Sequence, residues 1–250
     1  MAKKKILLLS DDLRMTSGIG VMSKEFVMGT LQHYDWVQVG GAIKHPDEGK
    51  IINMNDSVRS VTNIKDANLT IYPVSGYGNQ PLLRELIVRE KPDAILHYTD
   101  PRFWGWLYEM EHEIRQNIPI YYYNIWDDWP APQYNENFYE SCDLIMNISK
   151  QTVAIVNEVS KRKPRTDWDC TYIPHGIDEN QYKPVTDEKE ITEMNAMRKQ
   201  LTDDNIEFVV FYNNRNIRRK LSGDVIMAFK HFCDQLPKEQ ADKTCLLMHT

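Results

Sequence analysis

The chain repeats one pattern: a short run of consecutive apolar residues, then a polar or glycine-bearing loop, then a segment with helical spacing. The first run is Ile6 to Leu9; Trp36 to Ile43, Leu69 to Val74, Ala94 to His97, Pro119 to Ile125, Cys142 to Asn147 and Asp169 to Ile173 follow. Continuous apolar runs of this length suit strands buried on both faces, as in a parallel sheet. Between them, Ile19, Met22 and Phe26 share one helix face, Gln80 to Glu90 is helical up to the break at Lys91-Pro92-Asp93, and Glu109 to Arg115 reads as a charged helix. Ser149 can cap a helix carrying Val153, Val156 and Val159. The alternation predicts an α/β fold of the Rossmann type, a doubly wound parallel sheet whose ligands collect beyond the carboxyl ends of its strands. Only the polar stretch from His45 to Asn68 has mixed signals and no assignable register.

The stretch from Tyr172 to Asp178 closes this first half. Pro174 lacks an N–H and the following His175-Gly176 pair continues neither strand nor helix, so residues 1–184 read as one Rossmann-like domain. Residues 185–205 are charged and helix-compatible from about Asp187, and read as a linker. A new apolar strand, Glu207 to Tyr212, leads into a basic turn with Arg215 and Lys220. Val225, Ile226, Phe229, Phe232, Cys233 and Leu236 then form one apolar helix face, and Thr244 to Met248 begins another strand. Residues 206–250 therefore read as the opening β-α-β of a second, incomplete Rossmann-like domain. A lone unit of this kind leaves its sheet faces exposed, so the expectation is a longer parent chain or a partner for this half.

The strand ends carry the candidate chemistry. Gly18-Ile19-Gly20 opens the first helix, whose free N–H groups can meet an anion or a sugar hydroxyl; the plainer reading is a tight, close-packed turn. His97, Asp100 and Arg102 fall within six positions, followed by Trp104 and Trp106. The tryptophans either stack on a ligand or fill the core, and Asp100 and Arg102 either bind or pair with each other. Trp126-Asp127-Asp128-Trp129 suits a hydroxyl-rich ligand, since carboxylates accept O–H bonds and indoles cover apolar sugar faces. A metal is disfavoured there, because adjacent extended side chains diverge and no third ligand is near in sequence.

Composition narrows the classes. A formal net charge of −6 gives no general attraction to nucleic acid or anionic membrane. The basic segment Lys161 to Arg165 is short, lacks interleaved aromatics and reads as a solvated loop. No apolar stretch reaches transmembrane length, and the run after Lys3-Lys4-Lys5 is too short for a signal peptide. Cys142, Cys170, Cys233 and Cys245 are widely spaced, without a Cys-x-x-Cys pair, which favours reduced thiols in a cytoplasmic protein over zinc or disulfides.

Two segments together carry a family resemblance: Ile173-Pro174-His175-Gly176-Ile177-Asp178 with the later Pro184, and the strand followed by Arg215, four residues, Lys220 and the Ala228-Phe229 helix. The chain resembles the GT-B glycosyltransferases, specifically retaining family 4, over a complete N-terminal domain and the start of the C-terminal one. The resemblance implies that Arg215 and Lys220 contact the donor diphosphate, with Gly18 and Gly20 close to it. It implies that His97 assists at the transferred sugar as a transition-state hydrogen-bonding group, and that His175 and Gly176 belong to the hinge. Asp100, Arg102, Trp126, Asp127 and Asp128 fall to the acceptor or sugar side. The donor is then a nucleotide-diphosphate sugar, with no cofactor or metal required. The family's late acidic motif, two glutamates separated by seven residues, lies beyond residue 250, so these residues alone are expected to be inactive.

The expected reaction is transfer of a sugar, hexosyl-like, to an acceptor hydroxyl with retention, driven by charge stabilisation and positioning. The acceptor is open among glycan, lipid, protein and modified nucleic acid, and the oligomeric state is equally open. The alternative class is a non-catalytic carbohydrate- or nucleotide-binding module. A Rossmann oxidoreductase fits less well, since Ser23 stands where the third glycine of G-x-G-x-x-G would fall.

Overall fold

The computed structural model describes residues 2–160 and 169–250; the basic segment at 161–165 lies outside them. Two compact units divide the chain, Met1–Gly176 and Ile177–Thr250.

The first unit starts with β1 (Lys4–Asp11), α1 (Gly18–Thr30), β2 (Tyr34–Ala42), β3 (Ile52–Asn53), α2 (Asn55–Thr62) and β4 (Leu69–Ser75). It continues through α3 (Gln80–Glu90), β5 (Ala94–Tyr98), α4 (Gly105–Glu109), α5 (Glu111–Ile114) and β6 (Ile120–Asn124). It ends with α6 (Glu136–Glu140), β7 (Leu144–Asn147), α7 (Lys150–Val159) and β8 (Cys170–Tyr172). The eight strands run in the order β3-β4-β2-β1-β5-β6-β7-β8. Every neighbouring pair is parallel except β3 with β4, so the ambiguous 45–68 stretch supplies an antiparallel edge strand and a helix.

Side-chain alternation along β1 splits the apolar residues between two cores. Leu7 and Leu9 enter one with α3, α4, α5, α6 and α7; Leu8 enters the other with α1 and α2. Both sheet faces are therefore covered, which is why the strands read as unbroken apolar runs. Each fully buried leucine contributes roughly 1.5–3 kcal/mol. The expected charged helix at Glu109–Arg115 is instead two short helices broken at Met110, which with Ile114 is buried; that core demand overrides the surface pattern. Trp104 is fully buried, which resolves its role as core.

Helix starts follow local chemistry. Ser17, Asn79 and Ser149 cap α1, α3 and α7, each side chain accepting a backbone N–H of the first turn.

The second unit contains α8 (Glu188–Leu201), capped by Asp187, then β9 (Phe208–Asn213), α9 (Ser222–Asp234), α10 (Lys238–Ala241) and β10 (Thr244–His249). β9 and β10 pair in parallel, forming the expected β-α-β unit. Val225, Phe229, Cys233 and Leu236 are half-buried, whereas Ile226, Met227 and Phe232 are exposed. The apolar helix face expected from the sequence is thus narrower, because Ile226 and Phe232 lie outside it.

Candidate functional site

The chain turns from β1 toward β2 and β4 on one side, then returns with β5 on the other, so the topological switch point lies between the carboxyl ends of β1 and β5. Their last residues are Asp11 and Tyr98. A crevice outside the carboxyl ends at such a point is where open α/β sheets bind ligands.

The loop after β1 is tightly organised. Ser17 Oγ accepts from Gly20 N at 3.0 Å and donates to Asp11 Oδ2 at 2.7 Å, joining the first turn of α1 to the strand end. A Cβ on Gly20 would stand 2.7 Å from Met15 O and 2.8 Å from Asp12 O, so glycine is required there by close backbone approach. Gly18 has open space around it and needs no such relief.

The two adjacent aspartates have opposite environments. Asp12 is fully buried and accepts from Arg14 Nη2 at 2.7 Å and backbone N at 2.8 Å, with His45 Nε2 at 3.0 Å. Burial pushes its carboxyl upward, but Arg14 and His45 outweigh that and hold it below the usual range. Asp11 has no such cation: burial raises its carboxyl, and the Ser17 hydrogen bond only partly offsets the rise.

His97 ends up inside the protein. Its ring is fully buried, stacked on Tyr122 with centroids 5.1 Å apart, and Nδ1 lies 2.7 Å from Tyr108 Oη. Nε2 has no hydrogen-bond partner, and desolvation lowers its pKa to about 3, so the imidazole is neutral. Direct contact between this ring and a sugar requires the surrounding aromatic box of Trp104, Tyr108 and Tyr122 to open. Tyr98, one position on, points to the other face of the sheet.

Asp100 and Arg102 pair with each other, Nη2 to Oδ2 at 2.5 Å and Nε to Oδ1 at 3.0 Å, and the guanidinium carbon sits 5.1 Å above the Trp126 ring. The structure therefore joins Asp100, Arg102 and Trp126 into one surface at the ends of β5 and β6. Asp127 and Asp128 are exposed beside it; α7 secures their loop through Thr152 Oγ1 to Trp126 O at 2.9 Å and Gln151 Nε2 to Asp127 O at 3.2 Å. No cluster of three metal-ligating side chains occurs among the described residues.

His175 lies against Tyr98 and Tyr123, with its Nε2 3.2 Å from Tyr98 Oη. Desolvation lowers its pKa. Gly176 has neither a positive φ nor a close neighbour, so nothing at that position requires glycine.

In the second unit, Arg215 is exposed and Lys220 half-buried, in the loop between β9 and α9. Tyr212 Oη donates to Lys220 O at 3.0 Å and fixes the end of that loop.

In the sequence, Asp11 reads only as the residue that stops an apolar run, and Tyr98 as the residue that follows a strand ending at His97. Their juxtaposition at the switch point depends on strand order, which no local pattern encodes. The usable signal was the Asp11-Asp12 pair itself, at the end of a strand expected to be central.

No protein-family model and no curated protein matches the sequence. Among solved structures, the chain is similar to an α,α-trehalose-phosphate synthase (UDP-forming) from Burkholderia vietnamiensis. The TM-score is 0.55 at 11% identity, over 99% of this chain and 64% of that one. It is also similar to a protein assigned as UDP-N-acetylglucosamine 2-epimerase from Listeria monocytogenes, with TM-score 0.50 and 14% identity over 100% of this chain and 63% of that one. The chain thus spans less than two thirds of the length of either. At these identities the likeness establishes the fold: a GT-B-like α/β chain built on a Rossmann-type sheet.

Proposed function

We propose that this chain is the acceptor-side domain and the first donor-side unit of a glycosyltransferase that moves a sugar from a nucleotide-diphosphate donor to an acceptor hydroxyl. One observation carries the reading. Both units put their anion-binding candidates in a comparable place, the connection from the carboxyl end of the first strand into the next helix: Gly18 and Gly20 in the first turn of α1, Arg215 and Lys220 in the loop between β9 and α9. The UDP named for both structural neighbours supports a uridine donor.

In this reading Arg215 and Lys220 neutralise the diphosphate as it leaves, which is the largest charge developed in the reaction. The first turn of α1 at Gly18 and Gly20 brings backbone N–H groups toward it, other than that of Gly20, which donates to Ser17 Oγ, and the Asp100–Arg102–Trp126 surface with Asp127 and Asp128 receives the acceptor or the sugar. His97, neutral and held by Tyr108, offers Nε2 to the sugar when its aromatic box opens. His175 and Gly176 form the hinge. Retention, family 4 membership and a cytoplasmic setting belong to the same proposal.

Calorimetric titration of UDP, GDP and ADP into the protein tests it. The expected result is binding of one nucleotide, weakened about 10- to 100-fold by Arg215→Ala or Lys220→Ala, the loss of one charge-assisted hydrogen bond each. Binding of none of the three, or indifference to both substitutions, overturns the donor site. The epimerase among the neighbours favours one second reading, rearrangement of the sugar nucleotide itself; an altered sugar still linked to its nucleotide would identify it.

A further inference from the structure

Among the described residues, the aspartate at the end of β1 is an acidic group at the switch point without a cation beside it. Asp12, next to it, is neutralised by Arg14 and His45. Asp11 is partly buried, and only burial and the Ser17 hydroxyl shift its ionisation. Ser17 engages Oδ2, so Oδ1 remains to accept another hydrogen bond. Two phenols feel the charge of the carboxylate: Tyr77, from the segment after β4, and Tyr98, at the end of β5. Beyond Tyr98 stands His175, neutral near pH 7 by desolvation. Gln38 Nε2 donates to the backbone oxygen of Asp11 at 2.9 Å and holds the strand end in place.

We infer that Asp11 is the group that receives the acceptor: its free oxygen accepts a hydrogen bond from the attacking hydroxyl and takes that proton as the new glycosidic bond forms. The inference rests on the transfer reading above and assigns a residue to its acceptor half. Atoms and charge balance. The acceptor oxygen bonds to the anomeric carbon on the same face that the diphosphate leaves, the carbon–oxygen bond to the diphosphate breaks, the electron pair leaves with the diphosphate, and the proton passes to Asp11. A carboxylate partly removed from water is more basic than a solvated one, which suits proton acceptance near neutrality. Ser17 fixes its orientation and moderates the basicity that burial confers.

The test follows nucleotide release from UDP-, GDP- and ADP-glucose by the protein in its natural full chain. Water alone serves as the acceptor in one arm, and methyl α-glucoside and octyl β-glucoside in the others. Asp11→Asn should lower turnover at least 100-fold, leave nucleotide affinity within about twofold, and abolish the acid limb of the pH–rate profile. Asp11→Glu should recover part of the rate. Ser17→Ala removes a hydrogen bond that stabilises the charged form, so the acid limb should move to higher pH, a change that a merely structural role would not produce. Turnover by Asp11→Asn within about threefold of the parent overturns the proposal, as does equal loss of nucleotide affinity and turnover. A parent that binds nucleotide yet releases none in any arm overturns it too, since water is itself an available hydroxyl. Absence of nucleotide binding in the parent removes the transfer reading and this proposal together. Binding and turnover with an indifferent Asp11→Asn removes this proposal alone.

Discussion

Tyr98 Oη and His175 Nε2 stand 3.2 Å apart, although 77 residues separate them in the chain. On the neighbouring strand, Tyr123 Oη donates to Ile173 O at 3.0 Å. Two phenols from adjacent strands thus pin the segment that leaves the first unit. Removing both hydroxyls, in Tyr98→Phe with Tyr123→Phe, should cost about 1 kcal/mol per bond and accelerate amide exchange around residues 173–176. Unchanged exchange in the double variant would show that the segment is held by other contacts.

His97 makes stability depend on pH in a defined direction. Unfolded histidine takes up a proton below about pH 6.5, whereas folded His97 resists protonation until about pH 3. Between these values the unfolded state binds more protons, so stability falls as pH falls, by up to about 1.4 kcal/mol per pH unit. Urea midpoints from pH 7 to 4 should fall more steeply for the parent than for His97→Phe. Parallel curves would mean that the ring does gain a proton inside the fold.

Removing Asp12 should be costly and removing its charge by acid equally so. Asp12→Ala leaves His45 Nε2 without its carboxylate and Arg14 with Asp47 alone, at 3.1 Å, and the expected loss is about 2 kcal/mol, less than for a fully buried pair because Arg14 keeps that second partner and 29% of its side chain in water. The folded carboxyl lies below its unfolded value, so its contribution is present above about pH 4 and lost as pH falls through the folded value. Parent and variant denaturation curves should therefore converge in strong acid; a constant gap would contradict the electrostatic account.

The two glycines in the first turn of α1 should respond differently to alanine. At Gly20 the new methyl meets two backbone oxygens that cannot move aside, and roughly 1–3 kcal/mol should be lost. At Gly18 there is open space and no positive φ, so alanine should be neutral or stabilising by up to about 1 kcal/mol. Thermal unfolding of both variants decides the matter, and equal destabilisation would be inconsistent with this loop geometry.

Much of the fold was legible because burial on both sheet faces leaves a direct mark on sequence: Ile6 to Leu9 can hardly be anything but a central strand. The same holds for the cap at Ser149 and for the helix start expected near Asp187, where local hydrogen bonding decides where the helix begins. The edge strand Ile52–Asn53 was not legible, since two residues carry no periodicity and its pairing with β4 is a long-range event. The site was legible only in pieces. Asp100, Arg102 and Trp126 announced themselves by residue type, yet their mutual pairing depends on how β5 and β6 are placed side by side. Asp11 gave no more than an acidic pair at a strand end, because its setting comes from strand order and from Arg14 choosing the other aspartate.

The fully buried apolar side chains belong entirely to the first unit. Heat capacity of unfolding follows the apolar area newly wetted. A scanning calorimeter should therefore register this chain chiefly through residues 2–176, with melting of the β9–α9–β10 unit contributing little to the baseline step.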